Sequence, residues 1–189
     1  MVYPIYVYGS KVLRKKTSDI PENYPGLKEL IADMFETMKI SDGVGLAAPQ
    51  IGLPLRLFVV DGTDIEQSKN EPKEDLSAFK IAFINPKITK LWGDLWTYNE
   101  GCLSVPTLRE DIVRPSGVRI EYYDENFNFH TGEFDGIKSR VIQHEYDHLE
   151  GVMFVDRINP LKKRLINGKL NAISKGKVDI TYKIKTPVK

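Results

Sequence analysis

Three residues in the C-terminal half have types and a spacing that could hold a metal ion and work on it: His144, Glu145 and His148, in the run His144-Glu145-Tyr146-Asp147-His148. This is an H-E-x-x-H pattern. On a helix, side chains at i and i+4 stand one turn apart with Cβ atoms roughly 5–6 Å from each other. Two imidazoles can therefore chelate one ion from a single rigid element, while Glu145 falls on the same side, within reach of a water on that ion. The competing reading is a pair of core histidines bonded to backbone carbonyls, with Glu145 turned to solvent. The flanking residues weigh against it. Ile137 and Val141 share the face of His144, Glu145 and His148, and burying a carboxylate on an apolar face is costly unless a charge compensates.

A two-histidine site needs at least one more protein ligand and an open position for water. The metzincin third histidine, six residues after the second, is absent, since Phe154 stands there; no glutamate follows Glu150, which removes the gluzincin ligand. Asp156 and Asp179 stay formally open. The other soft donor is Cys102, in Glu100-Gly101-Cys102-Leu103-Ser104. A thiolate with two imidazoles suits iron, zinc, nickel or cobalt rather than magnesium or calcium. By itself a lone cysteine is more often a small buried hydrophobe, and a nucleophilic role is also open. As the single cysteine it forms no internal disulfide, which fits a reducing compartment.

The elements that must position these residues follow from periodicity. Leu27, Leu30, Ile31, Met34, Phe35 and Met38 form one apolar stripe and predict a helix over 27–39, ending before Ser41-Asp42-Gly43. Apolar or alternating runs predict strands at 55–60, 81–84, 118–122 and 127–130, the last two joined by a turn at 124–126. Residues 62–75 are polar and read as an exposed loop with no chemistry assigned. From Asp135, a plausible N-cap, the period changes to a helix that carries the histidines and stops at Gly151. Ile142, Tyr146 and Leu149 cover a second face, so this helix should be largely buried. The expected fold is α+β, with mixed or antiparallel sheets around a central helix bearing the H-E-x-x-H motif.

The bulk properties set the frame. The 189 residues fit one domain, residues 1–189, with a basic C-terminal extension from about 157. A net charge of +1 argues against a dedicated nucleic-acid binder. The N-terminal residues lack the basic and apolar regions of a secretory signal, and no window approaches the roughly 20 apolar residues that span a bilayer. A cytoplasmic protein with no membrane partner is the expectation.

Three segments together carry a resemblance. Gly43-Val44-Gly45-Leu46-Ala47-Ala48-Pro49-Gln50 resembles the G-x-G-L-A-A-x-Q motif of peptide deformylases, Glu100 to Ser104 their E-G-C-L-S motif, and Gln143 to His148 their Q-H-E-x-D-H motif. The resemblance runs from the N-terminus to about Phe154. It implies that Cys102, His144 and His148 are the metal ligands, that ferrous iron is the natural ion, and that zinc, nickel or cobalt can replace it. It implies removal of the formyl group from N-formylmethionyl nascent peptides, with Glu145 taking a proton from the attacking water and passing it to the departing amine. The oxyanion donors it implies are the Gln50 side-chain amide and the Leu103 N–H. It also suggests a supporting ion pair between Glu100 and Arg114 and a substrate contact from Arg109.

Other assignments rest on the residues themselves. Gly43 and Gly45 would let an extended peptide approach and pair as an added strand. Val44, Ile137 and Val141 are the candidate wall of an apolar pocket for the methionine side chain. Asp147 either orients a ligand histidine or turns outward. Residues 151–189 hold ten Lys or Arg against two Asp. Asn159-Pro160 predicts the start of a terminal helix, interrupted at Gly168, and 178–184 a further strand. The tail reads as a solvated basic terminus, with transient docking on the ribosome as the functional alternative.

Overall fold

The computed structural model describes residues 1–63, 65 and 74–187. Most of the loop expected at 62–75 therefore lies outside the described residues. Helix α1 (Leu27–Ile40) forms where its apolar stripe predicts it. Leu27, Leu30, Ile31, Met34 and Met38 are buried and pack with Leu46, Leu57 and Val59. The chain then enters strand β2 (Gly45–Ala47), a 3-10 turn (Ala48–Ile51) and strand β3 (Leu57–Asp61). Strands β4 (Lys80–Gly101), β5 (Arg109–Tyr123) and β6 (Phe129–Asp135) complete an antiparallel sheet of order β2-β3-β4-β5-β6.

Strand β4 runs far past the predicted 81–84. Asn85 and Pro86 bound the predicted run, but the strand carries them, and Gly93 after them, at irregularities, with register shifts between Ile84 and Lys87 and between Trp92 and Leu95. Asn85 sits at φ 50°, and its side-chain amide exchanges two 2.8 Å hydrogen bonds with the backbone of Ile20. Gly93, at φ 78°, supplies a left-handed residue that only glycine adopts freely. The added length matters for function. It carries β4 to Glu100 and Gly101 and makes residues 102–108 the closing loop of the β4–β5 hairpin.

Helix α2 (Gly136–Leu149) packs against β2, β3, β5 and β6, and most of its side chains are buried. Asp135 holds the N-cap position but its side chain caps nothing. Instead Glu74, from the loop given no role, accepts the Ile137 N–H at 2.6 Å. The C-terminal end closes as expected: Gly151 (φ 73°) donates to His148 O, and Val152 to Asp147 O at 2.9 Å.

Helix α3 (Pro160–Ser174) starts with the Asn159 side chain accepting the Leu161 N–H at 2.8 Å. Gly168 does not interrupt it; the residue faces open space, so it costs only its weak helix propensity. The tail departs from expectation. Strand β7 is only Ile184–Lys185, and it pairs in parallel with β1 (Ile5–Tyr6). The chain after α3 is thus folded back onto the N-terminus, because Val178, Tyr182 and Ile184 have apolar clusters to join. Among the described residues no helix is long and apolar enough to cross a membrane.

Candidate metal centre and active site

Helix α2 sets His144 and His148 with ring centroids 5.3 Å apart, and the loop after β4 brings Cys102 to them. One donor atom from each of the three lies within 4.8 Å of the others, and Cys102 Sγ is 3.3 Å from His148 Nε2. The ring of His144 is oriented by Glu100, whose Oε2 is 2.8 Å from Nδ1. Asp156 and Asp179, left open as ligands by the sequence, are not in this cluster.

Glu100 is the hub of a buried charge network. It accepts two hydrogen bonds from Arg114 (2.7 and 3.0 Å) and one from Arg140 (2.9 Å), so the expected Glu100–Arg114 pair is present. Burial would raise its pKa, but bonds from His144 and Arg114 outweigh burial and hold it well below the carboxylate range. Asp147 bonds to neither histidine. It accepts from Arg114 at 2.7 Å and from Arg157 at 2.6 and 2.5 Å, so the orienting role considered for it belongs to Glu100.

Glu145 points into the same space. It is 4% exposed, its Oε2 has no hydrogen-bond partner among the described residues, and burial raises its pKa to about 7. Gly45 explains how it fits: a Cβ there would lie 2.3 Å from Glu145 Oε1. The missing side chain at 45 thus makes room for this carboxylate, and a Cβ at Gly43 would meet Leu103 Cδ1 at 2.8 Å. Both glycines have close internal neighbours, a reason the sequence did not supply. Gln50 is buried in the 3-10 turn. Its Oε1 accepts the Ala47 N–H at 2.8 Å, which aims Nε2 at Ser104 Oγ (3.2 Å) and Cys102 Sγ (3.5 Å).

A cavity of about 450 Å³ opens beside these groups. Ile137 and Val141 line it, half-exposed Val44 stands in its wall, and exposed Arg109 lies across Gly101, tied to Asn99 at 3.0 and 2.6 Å. Among the lining residues that were not anticipated are Tyr98, Arg140 and Tyr182. Tyr98 had a signal, because Trp96, Tyr98 and Glu100 alternate with exposed residues at the period of a strand leading into Cys102. Arg140 also had one, lying one turn before His144 on the same helix. Tyr182 had none, since nothing local ties it to residues some 80 positions away.

The residues present fit a soft divalent ion. One thiol and two imidazoles converge, with a donor atom of each within 4.8 Å of the others. Burial lowers the pKa of both histidines, yet Cys102 and Glu100 carry His144 well above its ordinary value. His148 stays well below its own, through burial and the neighbouring His144. An H-E-x-x-H helix under an antiparallel sheet, with a buried carboxylate poised near neutrality, defines a metal-dependent hydrolase.

Known proteins narrow this class. The sequence model of the polypeptide deformylase family matches residues 2–164. A peptide deformylase of Flavobacterium johnsoniae is 53% identical over 188 residues, covering 98% of this chain and 96% of its own. One of Cytophaga hutchinsonii is 50% identical over 189 residues, with both chains covered in full. The crystal structure of a peptide deformylase from Thermus thermophilus superposes with a TM-score of 0.80 at 38% identity, over 93% of this chain and 99% of that one. The chain belongs to the polypeptide deformylase family.

Proposed function

We propose that residues 1–189 form one domain that hydrolyses the formyl amide of N-formylmethionyl peptides, with Cys102, His144 and His148 as metal ligands and Glu145 as the proton carrier. The single observation that carries the mechanism is the placement of the Glu145 carboxyl, which is buried, lines the same cavity as Cys102 and His144, and has an Oε2 with no hydrogen-bond partner among the described residues. A carboxylate so placed, with a free oxygen facing the cavity, can accept a proton from a water there and return it. Cys102, His144 and His148 would hold a divalent ion, which would supply Lewis-acid activation when bound. Glu145 takes the proton from the attacking water and later delivers it to the leaving amine as formate departs. Gln50 Nε2 and the Leu103 N–H are the donors for the oxyanion; groups of this kind contribute on the order of 10²–10³ each in turnover. The mixed sulfur and nitrogen donor set supports iron, zinc, nickel or cobalt alike; ferrous iron as the natural ion is what the family resemblance implies.

The substrate backbone pairs beside Gly43, Val44 and Gly45. What supports this is the position of β2 at the edge of the sheet, where a further strand can be added. Ile137, Val141 and Val44 receive the methionine side chain, and Arg109 meets the peptide at the outer wall. The decisive test is formate release from a formyl-Met tripeptide by anaerobically purified, metal-assayed protein, with Glu145→Ala alongside. Activity lost in the mutant at unchanged metal content is expected. An inactive, metal-loaded parent would overturn the reading.

Because its substrates are nascent chains, we also propose a transient ribosome contact through α3, where Arg164 and Lys169 are exposed, in the cytoplasm. Salt-insensitive pelleting with ribosomes would count against it.

A further inference from the structure

We propose that the segment following α3 is part of the active site, and that Tyr182 is a positioning residue for the loop that carries Cys102 and the Leu103 N–H. The proposal rests on the function proposed above. It concerns residues beyond 164, where the family match ends.

Three consecutive carbonyls of this loop each have a donor. Cys102 O accepts from Val105 N at 2.9 Å, which closes a turn. Ser104 O accepts from Tyr8 N at 2.8 Å. Leu103 O lies between them and accepts from the Tyr182 hydroxyl at 2.9 Å. The last two donors come from opposite ends of the chain, which the parallel pairing of β1 with β7 holds together: Ile5 N donates to Lys183 O and Val7 N to Lys185 O. The small terminal sheet is thus a bracket, and the metal-site loop is what it grips.

This bracket reaches the chemistry through Leu103. The carbonyl held by Tyr182 and the N–H proposed for the oxyanion belong to the same residue, on either side of its Cα. A donor assists an oxyanion only if it is already aimed before charge develops, and a misplacement near 1 Å can cost about 10²-fold. Fixing the Leu103 carbonyl restricts the rotation that would turn the residue. Tyr182 also lines the cavity, next to Leu103, so it borders the space a bound peptide would enter.

Tyr182→Phe removes the hydroxyl and keeps the ring, and Tyr182→Ala removes both. In Tyr182→Phe, kcat for a formyl-Met tripeptide should fall about tenfold, with KM, melting temperature and metal content unchanged. Tyr182→Ala should in addition raise KM. Amide hydrogen exchange across Leu103–Val105, read by mass spectrometry, should speed up in both variants whether or not substrate is turned over. A Tyr182→Phe protein with parental kcat would overturn the proposal. So would a kcat loss matched by lost metal or a lowered melting temperature, which would make Tyr182 a plain strut. If the parent itself releases no formate, the proposed function falls, while the exchange data still decide whether Tyr182 holds the loop.

Discussion

A methyl group on Gly45 would lie 2.3 Å from Oε1 of Glu145 and 2.7 Å from its Cδ. Strand β2 passes so close to helix α2 that the carboxylate occupies the space a side chain at residue 45 would need. Gly45 has no need of a left-handed φ; its backbone is that of an ordinary strand residue. Its constraint is purely one of contact.

Gly45→Ala should therefore act on catalysis more than on folding. Either the strand or Glu145 must give way, and Glu145 is the softer of the two. We expect kcat to drop by about 10²-fold, with the metal retained. Steady-state kinetics beside a metal assay checks this, and a variant with parental kcat would show that Glu145 has room to spare.

Glu100→Gln tests the buried network. The carboxylate accepts from Arg114, Arg140 and His144. A neutral amide keeps the shape but leaves two buried guanidinium groups short of countercharge and turns a donor towards one of its former partners. Breaking a buried pair in this way typically costs about 3–5 kcal/mol, or on the order of 10 °C in melting temperature for a chain of this size. Because His144 also loses its orienting acceptor, metal affinity should weaken by about 10–100-fold in a chelator competition. Unchanged affinity would mean that the ring of His144 is held by packing alone.

Asp156 gives the acid limb of stability. It accepts from Met153 N at 2.9 Å, from Lys163 at 2.8 Å and from both ends of the Arg14 guanidinium. Burial pushes this carboxyl up, but the hydrogen bonds from Arg14, Lys163 and Met153 outweigh burial and hold it at about 2, against an ordinary 3.8. The unfolded chain binds this proton more readily. The contribution is therefore complete above about pH 4 and vanishes as pH falls through about 2. After allowance for solvent screening it is about 1–2 kcal/mol. Urea unfolding of Asp156→Asn against the parent should show that gap near pH 6 and a closing gap towards pH 2. A gap independent of pH would assign the stabilisation to packing.

The candidate donors were legible in the sequence because helical spacing is local. His144, Glu145 and His148 lie within five residues, so a 3.6-residue repeat settles their common face. Cys102 was the chain's single thiol, and the stripe of α1 and the Asn159-Pro160 start of α3 were equally local. The strands fared less well. Asn85 and Pro86 look like the end of a strand until a partner strand shows that β4 carries them as irregularities while its pairing with β5 continues.

Other relationships depended on chain segments meeting across long separations. Glu100 and not Asp147 orients His144, because the β4–β5 hairpin brings residue 100 under α2 while Asp147 is taken up by Arg114 and Arg157. Gly45 is small because of a helix a hundred residues later. Tyr182, read as part of a solvated tail, reaches Leu103 because pairing with Ile5 and Tyr6 draws the terminus back. The sequence by itself determined which side chains could do the chemistry, since residue type and helical period are local properties. Only the tertiary structure decided what aims them, since aiming depends on contacts between distant segments that packing alone brings together.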